Sequence, residues 1–349
     1  MFEKKGLQKL YDSHRETFAS AARVGDALNG RFYDMEDAVD CLLIAAISGE
    51  AMVLIGPPGT AKSRLVRSFS NLVGLIPNST LTASSDEDEE RNGDYFEYLL
   101  TQFTEPSELF GYVDIPALQK GRYEILDEGM MQKAQVVFLD EVFNASSAIL
   151  NALLTFMNER RFHNRGKSIP TPLRLLVSAT NHPPRDAGLE AVYDRFLLRC
   201  RMHNTARVGV PQGELTGLLQ AAWTETHAPE TDNHEDWSDL LDGFEDYRNM
   251  VDEMTRNGSL AIDPLHSTLP MFSQLVSSLV KYELSDMSNR RVVKMTGLIL
   301  ARRFLKAAWA DEDEVDIKPE DFNVLLKYSL DREDPSALER VRQDLEIPA

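Results

Sequence analysis

Ala51-Met52-Val53-Leu54-Ile55-Gly56-Pro57-Pro58-Gly59-Thr60-Ala61-Lys62-Ser63 is the stretch that decides the fold. Five apolar residues stop at Gly56, and apolar residues resume at helical spacing over 63–73. A short buried strand, a glycine loop and a helix, in that order, form the setting a phosphate-binding loop requires. Main-chain N–H groups of such a loop converge on a β-phosphate, and the helix N-terminus adds the positive end of its dipole. Gly56, Pro57, Pro58, Gly59, Thr60 and Ala61 form the loop. Lys62 is placed to bridge β- and γ-phosphates, and Ser63 to put its hydroxyl on Mg²⁺. Ala61 stands where glycine is usual before the lysine, so this reading needs residue 61 in helical or extended backbone at the start of the helix.

Two further apolar runs repeat the pattern downstream. Val136-Val137-Phe138-Leu139 ends in Asp140-Glu141, and the run over 173–179 ends in Thr180-Asn181. Helical spacing covers 148–159 between them, and also 7–28 and 35–48 upstream. Short all-apolar strands alternating with helices predict an α/β fold with a parallel sheet covered on both faces. Ligands of such sheets bind beyond the carboxyl ends of the strands, where all three runs carry their polar residues. Asp140 is then placed to hold Mg²⁺ through water, beside Ser63. Glu141 is placed to orient and polarise an attacking water. Asn181 offers an amide to a γ-phosphate or to that water; a turn cap is the alternative use of an asparagine there.

Two stretches read as β-hairpins grafted onto this core: 114–125, turning at Lys120-Gly121, and 161–171, turning at Arg165-Gly166-Lys167. Four regions are expected. Residues 1–203 form the αβα nucleotide-binding core with an N-terminal helix, and 204–265 an acidic linker or insert with some helix. Residues 266–335 form a small all-α lid, and 336–349 a charged tail.

The 349 residues carry 43% hydrophobic and 27% charged residues, ordinary for a chain with a sizeable core. The net charge of -19 repels nucleic acid and anionic membranes on average. Cys41 and Cys200 show no CxxC spacing, so two reduced thiols in a cytoplasmic setting are expected rather than a disulfide framework or zinc site. No run of about 18 apolar residues predicts a membrane span, and the N-terminal residues do not read as a signal peptide.

The ordered set of motifs resembles AAA+ ATPases and is most similar to the MoxR branch, in particular its RavA-type members. Residues 56–63, alanine included, carry the match, with Phe110-Gly111, Ile115-Pro116-Ala117-Leu118, Gly121-Arg122-Tyr123 and Phe138-Leu139-Asp140-Glu141. Further on come Ile149-Leu150-Asn151, Asn158-Glu159-Arg160-Arg161-Phe162, Leu176-Val177-Ser178-Ala179-Thr180-Asn181, Tyr193-Asp194-Arg195 and Ser288-Asn289-Arg290-Arg291. The resemblance implies ATP and Mg²⁺ as cofactors and a homo-hexameric ring with sites between subunits. Arg195 matches the arginine finger, with Arg199, Arg201 and Arg185 as rivals, and Arg290 the second sensor, with Arg291 as its rival. It places adenine near Gly30-Arg31-Phe32-Tyr33. It makes the two hairpins the helix-2 insert and the pre-sensor hairpin, with Lys120, Arg122, Tyr123, Arg165 and Lys167 as a working surface. RavA-type proteins continue into a further domain with its own partner, for which these residues hold no match, so that partner is not expected. A von Willebrand A domain protein is. The implied function is ATP-driven remodelling or chaperone-like activation of a partner complex. The alternative, a nucleic-acid motor linked to a nuclease, is opposed by the acidic charge.

Overall fold

The computed structural model describes residues 1–77, 93–164, 167–184, 187–205, 210–227, 235–345 and 347. The chain opens with α1 (Lys4–Arg31) and α2 (Glu36–Ser48), then β1 (Met52–Ile55), α3 (Lys62–Leu72) and β2 (Tyr95–Leu99). A first excursion holds α4 (Pro106–Phe110), β3 (Tyr112–Val113), α5 (Ile115–Gln119) and β4 (Ile125–Leu126). Next come β5 (Val136–Asp140), α6 (Ser147–Glu159), β6 (Arg161–Asn164), β7 (Lys167–Pro170), β8 (Leu175–Thr180), α7 (Glu190–Tyr193) and β9 (Leu198–Arg201). The remaining described elements are α8 (Gln212–His227), α9 (Leu240–Arg256), α10 (Thr268–Lys281), α11 (Asn289–Trp309), α12 (Asn323–Tyr328) and α13 (Pro335–Leu345), with a 3₁₀ turn at Pro319–Phe322.

Five strands form one parallel sheet in the order β2-β5-β8-β1-β9. Alternate residues point to opposite faces, and both faces are apolar. Met52, Leu54, Phe138, Val177 and Cys200 join a core with α1, α2, α3 and α9 to α13. Val53, Ile55, Val137, Leu139 and Leu176 join a second core with α4, α6 and Phe196. The expected doubly covered parallel sheet is therefore present, and β1 lies between β8 and β9.

The span expected as an acidic linker contains more core than its composition suggests. α9 buries Leu240, Leu241, Phe244, Tyr247 and Met254, and Tyr247 meets Phe18 and Phe304 edge-on at 5.2 and 6.0 Å. The charged tail is likewise helical through 345, with Ala337, Val341 and Leu345 of α13 buried. Cys41 on α2 and Cys200 on β9 are buried free thiols; burial first, then the neighbouring Cys200 thiol, pushes Cys41 up. Among the described residues no helix is long and apolar enough to cross a membrane.

The two excursions differ. β6 and β7 pair antiparallel over 161–170, the hairpin expected there. The stretch 114–125 is not a hairpin. Its antiparallel ladder is two residues long, Tyr112–Val113 against Ile125–Leu126, and encloses α5. Asp114 caps that helix by accepting from Ala117 N at 3.0 Å, and Pro116 sits in its first turn. An Asp cap followed by proline is a helix-start signal that outweighs alternating character. Phe110 stacks on Phe162 with ring centroids 5.0 Å apart, tying the two excursions together.

Candidate active site

The loop after β1 leads directly into α3. Gly56 N donates to Thr180 O at 3.1 Å, anchoring the loop to the end of β8. A Cβ at residue 56 would lie 2.6 Å from Met202 O, so only glycine lets β1 leave the sheet this close to the chain after β9. Ala61 differs from expectation. It is neither helical nor extended but left-handed, with φ 56° and ψ 28°, and serves as the cap of α3. A glycine would adopt this conformation freely, whereas alanine is strained there. The first amides of α3 have no intrahelical partner, and the dipole favours an anion in front of them.

Lys62 is only 8% exposed. Its Nζ donates to Gly56 O at 2.6 Å, Pro57 O at 3.1 Å and Asn181 Oδ1 at 3.5 Å. Burial lowers its pKa from the usual lysine value, and the charges of Asp140 and Glu141 oppose this. Asn181 follows β8, which lies between β5 and β1. Its Nδ2 donates to Glu141 Oε1. One amide thus spans the gap between the lysine of the loop and the acid beyond β5.

Glu141 is the second non-glycine residue of the site in the left-handed region, at φ 53° and ψ 42°. Its N–H donates to Asp140 Oδ1 at 2.9 Å. Its Oε2 accepts from Asn144 Nδ2 at 3.4 Å, across the 3₁₀ turn Val142–Asn144. Non-glycine residues held in this region mark places where the surrounding structure dictates the backbone, and functional sites are enriched in them. Asn144 belongs to the site and was missed in the sequence; its only signal is its place three residues after Glu141 in a turn.

The donor set fits a magnesium nucleotide. Among the described residues no cluster of three or more His, Cys, Asp or Glu could hold a metal alone. Mg²⁺ instead takes one or two protein oxygens and completes its shell from phosphates and water, which matches the hydroxyl of Ser63 with the carboxylate of Asp140. Beside the loop lies a cleft of about 410 Å³, lined by Tyr33, Asp34, Ala38, Gly59, Ala61, Met202, Thr205 and Leu218 among others. It adjoins the stretch expected near adenine. One wall comes from α8: Gly217 lets the Tyr33 ring approach so closely that a Cβ would lie 2.3 Å from it. That α8 and Thr205 build this cleft was not foreseen.

The arginines sort themselves by partner. Arg199 is 1% exposed, pairs with Asp331 and donates to Tyr193 O at 3.0 Å. Arg291 is 3% exposed and donates to Asp331, Asp286 O and Ser329 O. Arg201 pairs with Glu333 at 3.0 Å. All three are committed internally, which argues against Arg291 as the nucleotide-facing residue of its pair. Arg185 and Arg165 lie outside the described residues, as does the side chain of Lys167. Lys120 and Arg122 are exposed.

Arg195 and Arg290 are not brought to the phosphate loop. They line one pocket of about 230 Å³ together with Gly49, Glu50, Ala51, Leu173 and Leu197. Those five residues precede β1, β8 and β9, so the pocket lies at the opposite end of the sheet from Gly56, Asp140 and Asn181. Arg195 Nη1 meets Asp194 at 3.3 Å, and among the described residues its buried Nε has no partner. Arg290 Nη2 donates to Asn158 Oδ1 at 2.7 Å.

A family model for the MoxR domain of MoxR–vWA–beta-propeller ternary systems matches residues 20–244. An uncharacterized protein of Methanocaldococcus jannaschii is 37% identical over 178 residues, 51% of this chain and 42% of the relative. The chaperone MoxR1 of Mycobacterium tuberculosis is 27% identical over 183 residues, 51% of this chain and 41% of the relative. A structural protein of Acidianus two-tailed virus is 27% identical over 271 residues, 74% of this chain and 40% of the relative. The chain spans less than half the length of these curated relatives. A solved structure from Cytophaga hutchinsonii, described as that of a candidate ATPase, superposes with a TM-score of 0.59 at 17% identity, covering 96% of this chain and 95% of that one; it shares the fold. With the α/β sheet, the loop and the strand-end acids in place, this chain belongs to the MoxR family of AAA+ ATPases.

Proposed function

We propose that this chain hydrolyses MgATP and couples the cycle to remodelling or activating a partner protein complex, working as a ring with a homo-hexamer as its expected form. The observation that carries the reading is the continuous link Lys62–Asn181–Glu141 across the ends of three neighbouring strands. Residues 56–63 would hold the phosphates, with Lys62 exchanging its carbonyl partners for phosphate oxygens. Ser63 and Asp140 would hold Mg²⁺, which neutralises charge on the β- and γ-phosphates. Glu141 would orient and polarise the attacking water, and Asn181 would steady that water or the γ-phosphate.

Arg195 and Arg290 sit beyond the far ends of the strands. At about 3.3 Å per residue, the four residues of β1 alone separate the two ends by about 13 Å. They cannot reach the phosphates of their own loop, so in this reading they serve those of a neighbouring copy. Arginine suits that task, because its fixed fork grips phosphate oxygens at any physiological pH. The description of the matched family supports a von Willebrand A domain protein as partner. Free buried thiols are compatible with a cytoplasmic setting. We assign residues 266–335 as the lid that carries Arg290.

Mixing two inactive variants tests the shared site. Arg195→Ala should bind ATP and lose at least about tenfold in turnover, less than the ~10³–10⁵ typical of arginine fingers in small GTPases. Mixed with Lys62→Ala, it should regain part of the activity, because some interfaces then pair an intact loop with an intact arginine. Wild-type turnover in Arg195→Ala, or no recovery in the mixture, removes Arg195 from this role.

A further inference from the structure

α11 begins in an unusual way for a helix of 21 residues. The N-terminal end of a helix carries partial positive charge, which favours acids and disfavours cations. α11 has no acid in its first turn and instead carries Arg290, Arg291 and Lys294 in its first two turns. Arg291 is explained by Asp331. Arg290 and Lys294, four residues apart, share one face, and both line the pocket that holds Arg195. Two like charges one turn apart at the positive end of a helix oppose helix formation unless an anion joins them.

The rest of the pocket points the same way. Its lining contains Arg160, Arg195, Arg290, Arg291 and Lys294 against Glu50, Glu159 and Asp194, a local excess of cations in a chain of net charge -19. Arg160 spends its guanidinium on Leu173 O, at 2.9 Å, and on Gly49 O. Lys294 is one-third exposed and meets Glu50, whose side chain is 18% exposed. Glu50 is separated from β1 by a single residue, at the end of the sheet opposite the phosphate loop.

We infer that Lys294 is a third phosphate-facing cation for the nucleotide bound by a second copy of this chain, and that Glu50 holds it until that phosphate enters. This rests on the shared-site reading of Arg195 and Arg290. An ammonium has three donors and no fixed fork, so it can exchange the Glu50 carboxylate for a phosphate oxygen without moving its helix. Glu50 competes with the incoming anion. Removing the lysine and removing the acid must therefore act in opposite directions. An ion pair that only braces α11 against β1 would weaken in both cases alike.

The test measures KM for ATP and kcat on the full chain for Lys294→Ala, Lys294→Arg, Glu50→Gln and the double variant Lys294→Ala/Glu50→Gln, with a thermal melt of each. Lys294→Ala should raise KM about tenfold, the loss of one charge-assisted hydrogen bond. Glu50→Gln should lower KM by about two- to fivefold, Lys294→Arg, which keeps the charge but not the free exchange, should fall between wild type and Lys294→Ala, and the double variant should follow Lys294→Ala. Folded Lys294→Ala and Glu50→Gln proteins whose KM values move in the same direction, or a Lys294→Ala protein at wild-type KM, overturn the inference. Recovery of activity in the Arg195→Ala and Lys62→Ala mixture separates that outcome from failure of the shared site, because no recovery overturns both.

Discussion

Replacing Asp331 by Asn tests how the pocket at the start of α11 is held. The carboxylate pairs with Arg199 and, at 2.9 Å, with Arg291, and accepts from Ser285 Oγ at 2.9 Å and Asp286 N at 2.7 Å. Burial alone would raise its pKa, but the two guanidinium groups outweigh that and hold it below the usual carboxylate range. Burial, helped by Arg291, lowers Arg199 to about 10. Asn keeps the shape and removes the charge, leaving two buried cations without their main counter-ion. Breaking a buried pair from one side costs about 3–5 kcal/mol. Asp194 lies 3.8 Å from Arg291 and offsets part of this, so the lower end, about 3 kcal/mol, is expected. For a chain of 349 residues that is roughly a 4 °C drop in melting temperature. The sign with pH follows from the depressed folded pKa. The contribution of Asp331 is present above the ordinary carboxylate range and is lost as pH falls through the lower folded value. Denaturant and thermal unfolding of both proteins at pH 7 measure the difference. A loss below about 1 kcal/mol would refute the view that this carboxylate clamps α11 to β9.

Ala61→Gly should be neutral or stabilising by up to about 1.5 kcal/mol. It relieves about 1–2 kcal/mol of left-handed strain against about 0.4–1 kcal/mol of added unfolded-chain entropy; unfolding that shows a loss of about 1 kcal/mol would contradict the φ of 56°. Because Lys62 titrates below the usual lysine value, ATP affinity should begin to fall at alkaline pH before an ordinary lysine loses its proton. A Lys62→Arg protein, if it still binds, should show no such fall in a titration from pH 7 to 10. Gly217→Val drives a side chain into Tyr33 and should weaken nucleotide affinity about three- to tenfold, at a cost of about 1–3 kcal/mol in stability; unchanged affinity in the folded variant would detach α8 from the cleft.

That the loop after β1, the acids Asp140 and Glu141 at the end of β5, and Asn181 come together was readable because strand ends in a parallel sheet bring polar residues together whatever the intervening sequence does. Their grouping follows from sheet order. What stayed hidden has physical reasons. In α9 the acidic composition masks a helical period carried by Leu240, Phe244, Tyr247 and Met254; the helix packs on α1, more than 200 residues earlier, and Tyr247 meets Phe304 of α11. The left-handed Ala61 follows from how the loop closes onto α3, which propensity alone contradicts. At 114–125 the capping signal of Asp114 and Pro116 was present and outranked the alternation. Arg199, Arg201 and Arg291 could not be separated from Arg195 and Arg290 by pattern, because burial and the single carboxylate of Asp331 decide among them.

The central claim is that Lys62, Ser63, Asp140 and Glu141 manage one magnesium nucleotide. Calorimetric titration of ATP with and without Mg²⁺, with phosphate release, on wild type, Lys62→Ala and Glu141→Gln tests it most directly. Wild type should bind in a magnesium-dependent way and turn over, Glu141→Gln should bind without turnover, and Lys62→Ala should not bind. Wild-type protein with no magnesium-dependent affinity for ATP, or Lys62→Ala binding as tightly as wild type, would contradict the account.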